Sequence, residues 1–367
     1  MHSFGSREVS VFGDVRSYPI NPSSPLISPP ARHHQPTMRL PKLPSNVAYI
    51  RLSNPKKRNA LSLAVLQDLK DQLTKALTST SSGQLRLLPP FKPAILKELE
   101  SAAKLKSSSE HWTKYGWLVD AAEWRKERAG LPDVLVLRSE GPVFSSGHDL
   151  REMAQLSHED VKRLFQLCAE VMSMIRRSPA LVVCPIHALA TAAGFQLAMT
   201  TDFPIALATT EFSLPGPKIG SSCTSPSAAV SRRLPPGQAY RLLATAEPVK
   251  ASSIGGAVDI VQVPESDPSP EAASIAFEAR VKSIIERLAQ MSPQQQAAGK
   301  WAYWTQLSIR GPLDDAYEAI GSAEGDGYEE AAAWAGRVMA LHAKSEDSKV
   351  GIAAFLGKRS PSWVSKL

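Results

Sequence analysis

Long apolar runs are missing. No stretch of the 367 residues is apolar for long enough to cross a bilayer. Cysteine is scarce: Cys168, Cys184 and Cys223 are odd in number and lack metal-ligand spacing. That excludes a disulfide framework and points to a reducing or neutral compartment. The eight histidines are scattered with no H-x-x-x-H pair, and no metal is expected. Runs of Lys/Arg with interleaved aromatics are also absent. Nucleic acid is therefore not expected, and a phosphorylated metabolite suits the net charge of +7 equally well. What is present is ordinary for a globular protein, 43% hydrophobic and 21% charged, in a chain long enough for one large domain or two smaller ones.

Residues 1–44 are rich in Pro and Ser and read as a disordered extension. Arg7, Arg16, Arg32 and Arg39 suit a mitochondrial presequence, but Glu8, Asp14 and the prolines do not. A start at Met38 is the simpler alternative. Residues 45–270 read as the core. Val47–Leu52 is a strand, and Asn54–Ser62 (N-P-K-K-R-N-A-L-S) ends it. Ser62 can cap a helix whose Leu63, Leu66, Leu69, Leu73 and Leu77 form a packing stripe. Residues 78–131 are an insertion with helices expected over 93–106 and 112–128, read as a structural lid or subunit contact. The apolar run Val134–Leu137 (V-L-V-L) is a buried strand. It leads into F-S-S-G-H-D, Phe144 to Asp149, where Gly147 is free to take positive φ. A helix over 158–177 and a strand over 181–186 follow. Then A-T-A-A-G, Ala190 to Gly194, repeats the order strand, small-residue turn, helix. Turns of this kind expose backbone N–H groups and make anion or oxyanion sites. Further strands are expected at 203–208, 212–214 and 258–263, with helices at 228–233 and 238–245. From 272 to the end the chain reads as helical, with Trp334 and Phe355 along it. The fold class is α/β, with residues 271–367 as an α-helical C-terminal part.

Four ordered motifs carry a resemblance: N-P-K-K-R-N-A-L-S, G-P-V-F-S-S-G-H-D-L, A-x-x-A-G-F-Q-L-A-M-T-T-D and F-S-L-P-G. Together they resemble the enoyl-CoA hydratase/isomerase (crotonase) superfamily. L-A-T-A-A-G-F-Q-L-A and L-P-G-P-K-I-G-S-S-C-T-S-P look most like its branch of enoyl-CoA hydratase domain-containing protein 3. The resemblance implies a superhelix of ββα units whose C-terminal helices build homotrimers or hexamers. It implies an acyl-CoA thioester substrate, with coenzyme A entering as part of the substrate and no separate cofactor. It places the two oxyanion-hole donors on the N–H groups of His148 and Ala193. It also places Arg58, Ala60, Ser146, Gly147, Asp149, Leu150 and Gly216 along the CoA and acyl path. Lys56, Lys57 and Arg58 could meet CoA phosphates, or be a solvated basic turn.

The pattern fails where proton transfer should occur. Hydratases that resemble this chain use two glutamates, and those positions hold Gln196 and Gly216. Glutamine cannot take a proton near neutral pH, and glycine has no side chain. A further acid position used by dienoyl isomerases holds Thr224. Asp149 and Glu211 are the nearest carboxylates in sequence, and Cys223 or Thr224 could serve as nucleophile. An imidazole role for His148 stays open, as does acyl-CoA binding without turnover. Ser365, Lys366 and Leu367 form an S-K-L tripeptide, a receptor-read peroxisomal address. Lys358 and Arg359 are expected to keep that tail basic and exposed. A peroxisomal location and an import receptor are therefore expected, with a mitochondrial location as the alternative.

Overall fold

A computed structural model describes residues 41–105, 109–219, 222–309 and 345–366. The expectations for residues 1–40, for Trp334 within 310–344 and for Leu367 lie outside the described residues, as does that for the Phe355 side chain.

β2 (Val134–Ser139) opens with four apolar residues, Val134–Leu137, because both faces of its sheet are covered there. It lies between Val47–Leu52 (β1) and Leu181–Ile186 (β3). Phe203–Leu207 (β5) and Asp259–Val261 (β8) complete a parallel sheet of order β1-β2-β3-β5-β8. A smaller sheet joins Leu189–Thr191 (β4), Glu211–Ser213 (β6) and Val249–Lys250 (β7).

Alternation along the strands decides which layer each residue joins. Val134, Val136, Val183 and Ile205 pack with Phe277, Val281 and Leu288 of helix α10, Pro270–Gln290. Leu135, Leu137, Val182 and Cys184 join the other core, with α1 (Leu63–Leu77) and α6 (His158–Arg176). Leu66, Leu69, Leu73 and Leu77 of α1 are buried, while Leu63 is half-buried at the helix start. Each buried leucine is worth roughly 1.5–3 kcal/mol. Ser62 caps α1, its hydroxyl accepting from Val65 N–H at 3.2 Å.

Among the described residues the insertion holds three helices, not two: α2 (Ile95–Leu105), α3 (Glu110–Val119) and α4 (Ala121–Arg128). The helix expected over 112–128 breaks at Asp120, which takes extended backbone angles. The Asp120 carboxylate accepts from Ala122 and Glu123 N–H at 2.9 and 3.1 Å, so it caps α4 instead of continuing α3. Leu96, Leu99, Trp117 and Trp124 form a second core with Ala297, Ala298 and Trp301 of α11, Pro293–Gln306. The insertion is thus packed against α11 of its own chain.

The expected helical C-terminal part is built of separate helices among the described residues. Met291 closes α10, Ser292 caps α11, and α12 spans Glu346–Leu356. The tail is not wholly exposed as expected. Lys358 and Arg359 are exposed, but Ser365 is buried. Asp347 accepts from its N–H at 3.1 Å and from its hydroxyl at 2.5 Å. Trp363 Nε1 donates to Gln290 O at 2.6 Å, and Lys366 Nζ bonds Ala289 O. A carboxylate that accepts twice from one serine holds that serine against the fold. Among the described residues, no helix is long and apolar enough to cross a membrane.

Candidate functional site

The two small-residue turns touch. Ser145 pairs with Ala190 in a parallel bridge: its N–H donates to Leu189 O at 3.2 Å, and its carbonyl accepts from Thr191 N–H at 3.1 Å. Gly147 has φ +84°, and a Cβ there would lie 2.9 Å from Ala192 Cβ and 3.3 Å from Ala193 N. Gly194 is tighter still, with an added Cβ 2.6 Å from Ser145 Cβ. Both glycines are needed because backbone meets backbone at this crossing.

The first motif braces the crossing through a residue the sequence reading passed over. Asn59 is fully buried and left-handed, with φ +53°. Its side chain accepts from Asn54 N–H at 2.8 Å and donates to Glu140 O and Val143 O at 2.7 and 2.9 Å. Its carbonyl accepts from Ser145 Oγ at 2.8 Å. The available signal was an asparagine in a polar turn, the residue type that tolerates this conformation.

What the crossing presents is bare backbone. α7 spans Ala193–Thr200. It begins after Ala192, held at φ +50° and ψ −121°, a strained region for a residue with a Cβ. Ala192 N–H is taken by Ser213 O at 3.0 Å, and Gln196 is the first α7 residue to donate backward, to Ala192 O at 3.0 Å. Among the described residues, the N–H groups of His148 and Ala193 have no acceptor. On the other turn, Leu61 N–H donates to Gly147 O and Asp149 N–H to Leu61 O, leaving the intervening His148 N–H free. Two free donors at one crossing, one of them at a helix N-terminus, suit an oxyanion.

The surrounding candidates separate. Ala60 and Gly147 are buried, Ser146 is half-buried, and Arg58, Lys56 and Leu150 are exposed. Lys57 is not a merely solvated cation, because its Nζ lies 2.7 Å from Asp149 Oδ2. Asp149 also caps α5 (Leu150–Met153), accepting from Arg151 and Glu152 N–H at 3.1 and 3.2 Å. The Lys57 hydrogen bond, more than those backbone bonds, holds its carboxyl below the usual range, so it is a poor base. Glu211 sits exposed on β6. Gln196 is buried, its amide 3.3 Å from Ser225 Oγ of α8, Thr224–Val230. Gly216 N–H points to Cys223 Sγ at 3.2 Å, so Gln196 and Gly216 both face the start of α8. Burial pushes the Cys223 thiol up, against a nucleophile, and Thr224 is exposed.

His148 differs from its neighbours. Its Nδ1 lies 3.1 Å from Leu61 O, and its ring meets Phe165 of α6 edge-on at 5.1 Å. Its Nε2 is buried without a partner among the described residues. Burial lowers its pKa more than the Leu61 carbonyl raises it.

Two cavities, of about 370 and about 740 Å³, share Arg232 and Trp304, and the smaller is lined by Asp202 just past the end of α7. Neither is lined by the two turns. Among the described residues no cluster of His, Cys, Asp or Glu could hold a metal, and the three cysteines are free and buried.

The family model described as enoyl-CoA hydratase/isomerase matches residues 132–311. The rat protein named enoyl-CoA hydratase domain-containing protein 3, mitochondrial, is 30% identical over 91% of this chain and 87% of its own length. The chain belongs to the enoyl-CoA hydratase/isomerase family. The human relative of the same name is 30% identical over 85% of this chain and 78% of its own. The crystal structure of human enoyl-CoA hydratase domain-containing protein 3 superposes with a TM-score of 0.57 at 27% identity, covering 88% of this chain and 98% of that one. An enoyl-CoA hydratase from Mycobacterium smegmatis gives 0.57 at 26%, covering 86% and 95%. The crotonase-like fold expected from the motifs is thus that of the family's solved members. Names of the rat and human relatives include the word mitochondrial.

Proposed function

We propose that this family member binds acyl-CoA thioesters and stabilises their enolates, acting as an enoyl-CoA hydratase or isomerase. The observation that carries the reading is the pair of acceptor-free N–H groups, His148 and Ala193, at the crossing of two braced turns. An enolate oxygen there gains from donors that need no reorganisation, at roughly 3 kcal/mol each. A second reading, an acyl-CoA binder with little turnover, is favoured by Gln196 and Gly216 at the two glutamate positions.

A steady-state assay on enoyl-CoA esters of several lengths separates the two, with binding measured alongside. Wild type is expected to bind the esters and to hydrate them slowly. Gln196→Glu puts a carboxylate beside Ser225 and is expected to raise hydration about tenfold or more, the low end of general acid–base gains. A silent wild type that still binds supports the second reading. No binding at all sinks both.

The compartment offered is the peroxisome, from S-K-L, which a receptor reads only once Ser365 is released from Asp347, against the mitochondrial names of the relatives. A fluorescent protein fused ahead of the chain is expected to enter peroxisomes, and removal of residues 365–367 to abolish entry. Import unchanged by that removal refutes the address. Assembly into trimers is offered on the family's habit and is checked by analytical ultracentrifugation.

A further inference from the structure

We infer that the His148 imidazole, rather than any carboxylate, carries the proton to and from C2 of the bound thioester. This rests on the acyl-CoA reading above. The same residue would then give its backbone N–H to the thioester oxygen and its side chain to the adjacent carbon.

Three observations converge. First, the tautomer is set. Leu61 O only accepts, so Nδ1 carries the hydrogen of the 3.1 Å bond and Nε2 keeps its lone pair. A base held by a third group is the arrangement proton transfer uses. Second, that lone pair is buried and partnerless among the described residues. Such an orphan costs about 1–3 kcal/mol and calls for a use. Third, the other titratable groups nearby are engaged. Asp149 is paired with Lys57 and capping α5, and Glu152 accepts from Leu63 N–H at 3.1 Å. On α6, Glu159 and Lys162 pair at 2.7 Å and are exposed, as is Arg163. Burial keeps the imidazole neutral near pH 7. Its ring packs edge-on against Phe165, which is 36% exposed.

The step balances without a co-reactant. Nε2 takes the proton from C2, and the C–H electron pair becomes the C1–C2 π bond. The negative charge moves to the thioester oxygen, under the N–H groups of His148 and Ala193. The imidazolium then returns the proton to C2, or to C4 of a β,γ-unsaturated thioester.

Hydrogen–deuterium exchange at C2 of a saturated acyl-CoA in D2O, with the full chain, tests this directly. His148→Gln keeps the backbone N–H and removes the base. Exchange is expected to fall about 100-fold or more, with acyl-CoA affinity unchanged within about threefold. In wild type the rate should rise with pH through an ionisation below the ordinary histidine value and level off near neutrality, and the variant should lack that limb. The wild-type profile needs no substitution, so a variant that misfolds leaves the test intact. Exchange that survives His148→Gln, or a wild-type rate with no falling acid limb down to the pH where the chain unfolds, overturns the inference. So does a wild type that binds but does not exchange, whereas failure to bind acyl-CoA sinks the underlying reading too.

Discussion

Gly194→Ala is expected to lower unfolding free energy by about 3 kcal/mol, the upper end for an overpacked site, and to weaken acyl-CoA exchange about 100-fold. The new methyl would stand 2.6 Å from Ser145 Cβ and 2.7 Å from both Ser145 O and Ser145 Oγ. Ser145 cannot step aside cheaply. Its N–H and carbonyl are in the bridge to Ala190, and its hydroxyl is bonded to Asn59 O. The strain must therefore part the two turns and move Ala193 N–H away from His148 N–H. Gly299→Ala is the control: it also sits in a helix, and nothing lies within 4 Å of its added Cβ. It should be neutral or stabilising by up to about 1 kcal/mol. Denaturant midpoints of the two variants check this. Equal midpoints for Gly194→Ala and wild type would mean that the crossing is loose.

Lys300→Met is expected to cost about 3–5 kcal/mol, because it leaves a carboxylate buried without its cation. Lys300 Nζ lies 2.7 Å from Asp202 Oδ2, and the two side chains are 3% and 10% exposed. Asp202 would keep its bond from Val182 N–H at 2.8 Å, but that donor is neutral. Lys300 also donates to Ile175 O at 3.3 Å, so one ammonium ties α11 to the end of α6 and the end of α7. Burial lowers the Lys300 pKa, and Asp202 is the largest influence raising it again. Adding Asp202→Asn to Lys300→Met should recover part of the loss, which a double-mutant cycle in urea measures. A double variant no better than Lys300→Met alone would show that packing, not charge, holds the contact.

Much of this architecture was legible in the residues. The V-L-V-L run announced a covered strand, and the leucine spacing of α1 announced its buried face. Local chemistry also located both turns. What stayed hidden depends on distant partners. Lys57 and Lys56 look alike in sequence, and only the fold brings Asp149, 92 residues away, to one of them. Asn59 reads as one polar turn residue among several until Glu140, Val143 and Ser145 arrive around it. The break at Asp120 was missed because helical periodicity continues across it, while a carboxylate that competes for the next N–H groups ends the helix. Ser365 looked free because nothing local opposes exposure, and its partner Asp347 lies a helix away.

The second core has a bearing on how the chain is made. Trp301 Nε1 donates to Pro90 O at 3.2 Å across 211 residues, and Gln294 Nε2 to Leu118 O at 3.1 Å across 176. A ribosome adding roughly 5–20 residues per second needs on the order of 10–40 s to cover such spans. Throughout that interval α2, α3 and α4 exist without α11, and Trp117 and Trp124 have no finished wall to pack on. Loop closure over such a distance is also slow in refolding. The insertion's core is therefore completed only after α11 has been made.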